Sequence, residues 1–442
     1  MKILYSCVGD TDPTRNCRDG GVLHILRAYH PEKAILFLSK EMTEKENKYQ
    51  RYSGPIAAVD PQCEVTLIKT DLTEAQKFDS LHPVVDEFYK VIETYPNEEI
   101  LVNLSSGTPQ MKMILAMLSL EYVNVKAIQV DSPERGSNRN AHPLNDDATV
   151  EEILATNLDN EPEEYINRCS EPKLRFIKYR QVAQELMKLT AAYSYKDAWE
   201  LANSNKDILS PEVVALIHHA YKRSSLEYTE ATKEIKNFKE LKPFAISNAD
   251  DPDVTKLREY LWIMQVRMKQ DYRQDFFVKM SPFLYELLRF YVTKVLRIPL
   301  AQLTGSNRSN KLSLELAERN FPKYYNVLKK KLPRPLRDNQ NLSYYLLELF
   351  LQTRKEVPDD MKNRLKFLRQ VERNIRNRQA HEIEPLTEKM VREEASNKST
   401  ENIFNDISKV FYFVLQDIYS TKKELIYDQI NEKLADMLKE QQ

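Results

Sequence analysis

At 442 residues the chain is longer than one ordinary core can organise, so two or three domains are expected. Its 65 Lys and Arg residues balance 66 Asp and Glu, which excludes a global field that attracts nucleic acid and confines any RNA-binding surface to a local patch. With 42% hydrophobic and 30% charged residues, the composition is that of a soluble globular protein.

The chain opens Met1-Lys2-Ile3-Leu4-Tyr5-Ser6-Cys7-Val8 and turns polar after about one strand's length, which does not read as a signal peptide. No apolar run approaches the roughly 20 residues of a membrane span. Cys7, Cys17, Cys63 and Cys169 lie at no metal-ligand spacing, so reduced thiols, no metal and no resident cofactor are expected of a cytoplasmic protein.

Glycine marks a change of grammar. Six of the seven glycines (Gly9, Gly20, Gly21, Gly54, Gly107 and Gly136) fall before residue 140, and Gly305 stands alone after it. In the first third, short apolar runs over 3–8, 34–38, 65–68, 100–104 and 125–130 predict strands. Helical stretches lie between several of them, such as 109–122 with Met111, Ile114, Leu115 and Leu118 on one face. Strands alternating with helices predict a parallel, doubly wound α/β sheet. Ligands of such sheets bind beyond the carboxyl ends of the strands, where strand order reverses.

Two strand ends carry unusual loops. One is Gly9-Asp10-Thr11-Asp12-Pro13; the other is Asn103-Leu104-Ser105-Ser106-Gly107-Thr108-Pro109-Gln110-Met111-Lys112. Pro109 suits the first position of a helix. Hydroxyl residues, a glycine and a helix N-terminus offer backbone N–H groups and a positive dipole end to a phosphate, and Lys112 could add a charge. A plain helix cap with a tight turn accounts for the same residues without a ligand. Neither GxxxxGK[ST] nor GxGxxG is present, which argues against a nucleoside triphosphatase and a dinucleotide oxidoreductase. The polar stretch 131–147 reads as a mobile loop at the edge of the sheet.

From about Glu161 the pattern is helical, with predicted helices over 186–201, 213–221, 254–268 and 276–296 and punctuation at Pro243, Pro252, Pro282, Pro322, Pro358 and Pro385. Near the end of this region stands Arg369-Gln370-Val371-Glu372-Arg373-Asn374-Ile375-Arg376-Asn377-Arg378-Gln379-Ala380-His381. Leu365, Leu368, Val371 and Ile375 form an apolar stripe, while Arg369, Arg373 and Arg376 run along another face. Pro385 predicts that the helix ends near His381. Asn377 and His381, four apart, share a face; Arg376 and His381, five apart, diverge unless the helix end unwinds. An Arg beside a His can cleave RNA without metal, because a His near neutrality moves protons and an Arg neutralises the charge developing on phosphate. Spacing alone is weak ground. Arg18 with His24, and Arg135 with His142, fit the same loose pattern and read as chance.

The longer string carries more. Arg376-Asn377-Arg378-Gln379-Ala380-His381 resembles the Arg-Asn-x-x-Ala-His motif of the HEPN ribonucleases of CRISPR type III systems. The sheet with Asn103-Leu104-Ser105-Ser106-Gly107-Thr108 resembles the CARF domain fused ahead of HEPN in the type III-A ancillary ribonucleases. The resemblance spans essentially the whole chain. It implies a Rossmann-like CARF domain over 1–160, a helical linker region over 161–250 and an all-α HEPN domain over 251–442. It further implies a homodimer whose paired CARF domains bind a cyclic oligoadenylate, with six adenylates expected, and sometimes cut it slowly. Paired HEPN domains would then cleave single-stranded RNA without metal, leaving a 2′,3′-cyclic phosphate. Stable association with the CRISPR effector complex is not expected. Carried over by residue, Arg376 and His381 are the catalytic pair and Asn377 orients or contacts the phosphate. Gly9, Asp10, Thr11, Asp12, Asn103, Ser105, Ser106, Gly107, Thr108, Gln110 and Lys112 are the candidate activator contacts. A ligand-sensing regulator that binds nucleic acid without cutting it is the alternative from another class. The intact hexapeptide and the lack of an obvious helix-turn-helix argue against that alternative. A toxin-like HEPN nuclease held by an antitoxin is a third reading, which the fused sensor domain argues against.

Overall fold

A computed structural model describes residues 1–133, 148–246, 251–306, 309–381, 384–415 and 425–440, with the backbone alone at 379–381. The chain divides into two compact units, Met1–Lys178 and Tyr179–Gln442. Residues 161–178 of the expected linker thus fall in the first unit. Most of the expected loop over 131–147, with Arg135 and His142, lies outside the described residues.

The first unit is built on β1 (Lys2–Cys7), β4 (Lys33–Leu38), β5 (Glu64–Lys69), β6 (Glu99–Asn103) and β7 (Val125–Val130), the five strands the apolar runs predict. A short hairpin of β2 (Thr14–Arg15) and β3 (Arg18–Asp19) and a two-residue edge strand, β8 (Cys169–Ser170), complete the strands among the described residues. The sheet order is β5-β4-β1-β6-β7-β8. All pairings are parallel except that of β7 with β8. Helices α1 (Gly21–Tyr29), α2 (Lys40–Tyr49), α3 (Ser53–Val59), α4 (His82–Thr94), α5 (Pro109–Leu118) and α6 (Val150–Ala155) belong to this unit.

Alternation along β1 decides the layering. Ile3, Tyr5 and Cys7 join Phe88 of α4 and Leu115 of α5 in one core, while Leu4 joins Val22 and Ile25 of α1 and Ile56 of α3 in the other. Each fully buried side chain of this kind contributes about 1.5–3 kcal/mol of transfer free energy. Tyr5 spends its hydroxyl within that core, donating to the Val84 carbonyl at 3.1 Å. Strand order runs outward from β1 to β4 and β5, then resumes on the other side at β6 and β7. The reversal therefore leaves a crevice beyond the carboxyl ends of β1 and β6.

The second unit is helical. One core gathers Phe276, Leu284, Phe350, Leu368 and Phe411 from the helices Arg273–Phe290, Tyr344–Gln352, Asp359–His381 and Thr400–Leu415. A second gathers Tyr195, Leu216, Trp262 and Tyr427. Three expectations change here and in α5. The predicted helix over 186–201 is two helices, Arg175–Ala191 and Tyr195–Ser204, separated where Tyr193 takes φ +57°. The predicted helix over 109–122 stops at Leu118, its end capped where Ser119 donates to the Leu115 carbonyl. The predicted helix over 276–296 ends as an α-helix at Phe290, running Arg273–Phe290 with Pro282 inside it as expected. A proline there removes one backbone hydrogen bond, and burial of Met280, Phe283, Leu284 and Leu287 around it offsets the loss. That helix then gives way to a single π-helical turn at Tyr291–Val295.

Candidate functional site

The crevice at the reversal of strand order is a cleft of about 490 Å³. Gly9, Asp10, Thr11, Gly107 and Thr108, all expected from sequence, line it. Gly9 and Gly107 meet there backbone to backbone: a Cβ on Gly9 would stand 3.2 Å from the Gly107 Cα, and Gly107 itself takes φ +81°. Thr108 caps α5, accepting from the Met111 amide at 3.3 Å while donating to the Ala75 carbonyl at 2.7 Å. The first-turn amides of α5 thus begin at the cleft.

Other expected contacts do not line the cleft. Asp12, Asn103 and Ser106 are buried and tie the two loops together. Asp12 accepts from the Gly9 amide at 3.2 Å, the Val22 amide at 3.2 Å and the Ser106 hydroxyl at 2.9 Å. Asn103 donates to the Ser6 and Ser106 hydroxyls at 2.9 and 2.8 Å. Ser105 bonds the end of β7 through both atoms of Val130, accepting from its amide at 2.7 Å and donating to its carbonyl at 3.2 Å. Burial pushes the Asp12 carboxyl up to about 6 against the pull of those hydrogen bonds. Burial likewise lowers the Lys112 ammonium, with Asp12 opposing and Arg15 adding to the effect. Gln110 and Lys112 do not line the cleft.

The structure adds a wall that the sequence reading missed. Ser39, Lys40, Glu41, Met42 and Glu44 at the start of α2, with Leu72, Thr73, Ala75 and Gln76 after β5, face the same cleft. A second helix N-terminus therefore opens into it, doubling the amide and dipole groups that suit an anionic ligand. The signal was a serine directly after the strand over 34–38, an N-cap residue at a strand end. It passes unnoticed because no glycine stands with it.

Arg18 and His24 sit elsewhere in the first unit, in a buried ion cluster. Arg18 and Arg168 each bond Asp159 at 2.9 Å, Arg27 bonds Asp19 at 2.9 Å, and His24 lies 3.5 Å from Asp19. Asp19, His24 and Asp159 are close enough to share a metal. Both carboxylates already have guanidinium partners, however, and need no cation.

In the second unit, Leu365, Leu368, Val371 and Ile375 are buried as expected, fixing one face of the helix Asp359–His381. The opposite face carries the cations. Arg376 has a side chain 66% exposed and lies 3.2 Å from Glu372, a carboxylate left only 3% exposed. Its Nη2 also donates to Ser281 Oγ at 3.5 Å. Arg369 pairs with the same Glu372 and lies over the Tyr345 ring at 4.9 Å. Arg378 turns the other way, toward Glu393 and Glu394 at 3.5 and 3.3 Å. Asn377 is exposed. His381 is the last residue of the helix, and its side chain lies outside the described residues. The helix thus presents an exposed, ion-paired guanidinium one turn before its end, where a phosphate could be gripped.

Residues 64–169 match the family model described as the Cas_Csm6 CARF domain, and residues 246–435 the Cas_Csm6 HEPN domain. A CRISPR system endoribonuclease Csm6 from Mycobacterium tuberculosis is 29% identical over 390 residues, covering 87% of this chain and 89% of the relative. The Csm6′ of Streptococcus thermophilus is 35% identical over 47% of this chain and 53% of its own length. The Csm6 of Enterococcus italicus is 33% identical over 47% of this chain and 49% of its own. The solved structure of Enterococcus italicus Csm6, bound to cyclic hexa-2′-fluoro-hexa-dAMP, matches the fold with a TM-score of 0.75 at 19% identity, over 99% of this chain and 100% of that one. No described helix is long and apolar enough to cross a membrane. With a CARF domain followed by a HEPN domain, and relatives of that name on both, this chain belongs to the Csm6 family of CRISPR system endoribonucleases.

Proposed function

We propose that this protein is a cytoplasmic homodimer that cleaves single-stranded RNA when a cyclic oligoadenylate occupies the cleft of its sheet domain. Cyclic hexaadenylate is the expected activator, in keeping with the six-membered ligand of the enterococcal structure. The observation that carries the reading is the Arg-Asn-x-x-Ala-His string standing at the end of a HEPN-domain helix with its Arg376 guanidinium exposed. Arg376 grips the scissile phosphate and neutralises charge on it as the bond breaks, and Asn377 contacts a phosphate oxygen. His381 assists proton transfer as the 2′-oxygen attacks phosphorus and the 5′-oxygen leaves, so the product ends in a 2′,3′-cyclic phosphate. No metal takes part. In the sheet domain the two helix N-termini and the Gly9–Gly107 contact hold the activator's phosphates, and slow cutting of the activator there is a further activity of the same reading.

One assay tests the whole reading: pure protein, a fluorescent single-stranded RNA, each cyclic oligoadenylate in turn, and EDTA throughout. Cleavage with the six-membered ring is expected, and His381→Ala should lower it by about 10²–10⁴-fold while activator binding persists. Cleavage abolished by EDTA would end the metal-free mechanism; a fully active His381→Ala would end the assignment of the site.

A further inference from the structure

We propose that Glu372 is a positioning residue for the RNA-cutting site, holding the Arg376 guanidinium where it must meet the phosphate. The inference rests on the catalytic role proposed for Arg376. Glu372 is a carboxylate in a buried place, next to Val371 in the apolar stripe and 3% exposed. A buried carboxylate is costly unless cations face it. Here they do, and from two sides. Arg369 takes Oε2 and is itself half-buried against the Tyr345 ring. Arg376 faces Oε1 at 3.2 Å, and that oxygen receives no directed hydrogen bond, so the contact is one of charge.

Residues 369, 372 and 376 fall on one face of the helix, three and four apart. The inner pair is fixed by packing, while the outer guanidinium is two-thirds exposed. Ser281, on the neighbouring helix Arg273–Phe290, gives Arg376 Nη2 a second, longer contact of 3.5 Å. An exposed arginine with no anchor samples many rotamers, and ordering it on a phosphate costs binding free energy. Glu372 removes part of that freedom beforehand. A neutral residue in its place leaves the charge of Arg376, and so its attraction for RNA, but not its direction. The consequence falls on turnover more than on binding, because displacement of a reacting group by about 1 Å is enough for a loss of about 10²-fold.

The test uses the full chain with activator present. Glu372→Gln keeps the shape and removes the charge; Glu372→Asp keeps the charge on a shorter stem. Thermal unfolding of each variant is recorded, and kcat and KM are measured on the fluorescent RNA well below the lowest transition. Expected is a kcat for Glu372→Gln lower by about 10–100-fold with KM within about threefold, and a clear recovery of kcat in Glu372→Asp. Unchanged kcat in Glu372→Gln would overturn the proposal. So would a loss confined to KM, or equal losses in Gln and Asp, since a merely structural role moves both alike. Should Glu372→Gln not fold, a folded Glu372→Asp with wild-type turnover supports the proposal and one as inactive as Arg376→Ala overturns it. Arg376→Ala, run beside them, separates the two readings: if it cuts RNA normally, the catalytic role of Arg376 fails, whatever Glu372 does.

Discussion

Asp12 carries a charge into a place that disfavours it. Two amides and a hydroxyl bond its carboxylate, yet burial outweighs them and moves its pKa from 3.8 up to about 6. A folded pKa above the unfolded one means that the fold holds the proton more tightly. The associated stability is present below about pH 4 and is lost as pH rises through about 6. At one unit per roughly 1.4 kcal/mol, the loss is at most about 3 kcal/mol. Asp12→Asn cannot ionise, so its stability relative to wild type should rise between pH 4 and pH 7. Hydrogen exchange of β1 and β6, corrected for intrinsic rates, reads this locally; a constant gap across that range would contradict it. The same residue shows what sequence conveys at this scale. Asp12, Asn103 and Ser106 are polar residues in strand-end loops, and such residues read alike whether they face a ligand or brace the loop that does. Burial separates the two cases, and burial depends on contacts between residues about 90 positions apart. Glu372 was hidden for the same reason, as one acid among the charges of a basic helix.

At the scale of the element, the cleft depends on two glycines that let two loops touch. Gly107 takes φ +81°, and a Cβ there would stand 3.0 Å from the Cys7 Cβ. Gly107→Ala should therefore cost about 1–2 kcal/mol from the backbone alone, with more from the contact, and should displace the first turn of α5. Activation of RNA cleavage should then need a higher cyclic oligoadenylate concentration, with cleavage at saturating activator less affected. A titration matching wild type would place the ligand away from this loop. Most elements were legible because their causes are local. The five strands are short, mostly apolar runs, and Pro109 behind Thr108 announces the start of α5. The failures lie where local causes conflict. Apolar spacing continues across residues 186–201, but Tyr193 takes a left-handed conformation and splits the helix. The predicted helix over 276–296 holds across Pro282, packed by Phe283, Leu284 and Leu287, but turns π-helical after Phe290.

At the scale of the whole molecule, the change in glycine usage near residue 140 anticipated two kinds of structure, and the chain does divide into a sheet unit and a helical unit. The geometry of the site is a separate question. The helix Asp359–His381 includes His381 as its last residue, so unwinding before that point does not bring Arg376 and His381 together. Five residues of α-helix turn a side chain through about 140° and advance it about 7.5 Å. A pair so disposed on one helix faces two directions, whereas two copies of the helix set across a two-fold axis can each lend one member. Arg376 of one protomer would then act with His381 of its partner. Arg376→Ala and Glu372-intact His381→Ala, each inactive alone, should regain activity once their subunits are reshuffled, because each mixed dimer rebuilds one whole pair. With free exchange, about half the dimers are mixed and each has one of two pairs intact, giving up to about a quarter of wild-type turnover. Mixing without exchange, checked by light scattering and differently tagged subunits, should restore nothing. If fully exchanged mixtures also stay silent, the pair acts within one chain, and the phosphate must then reach across the helix end to meet both side chains.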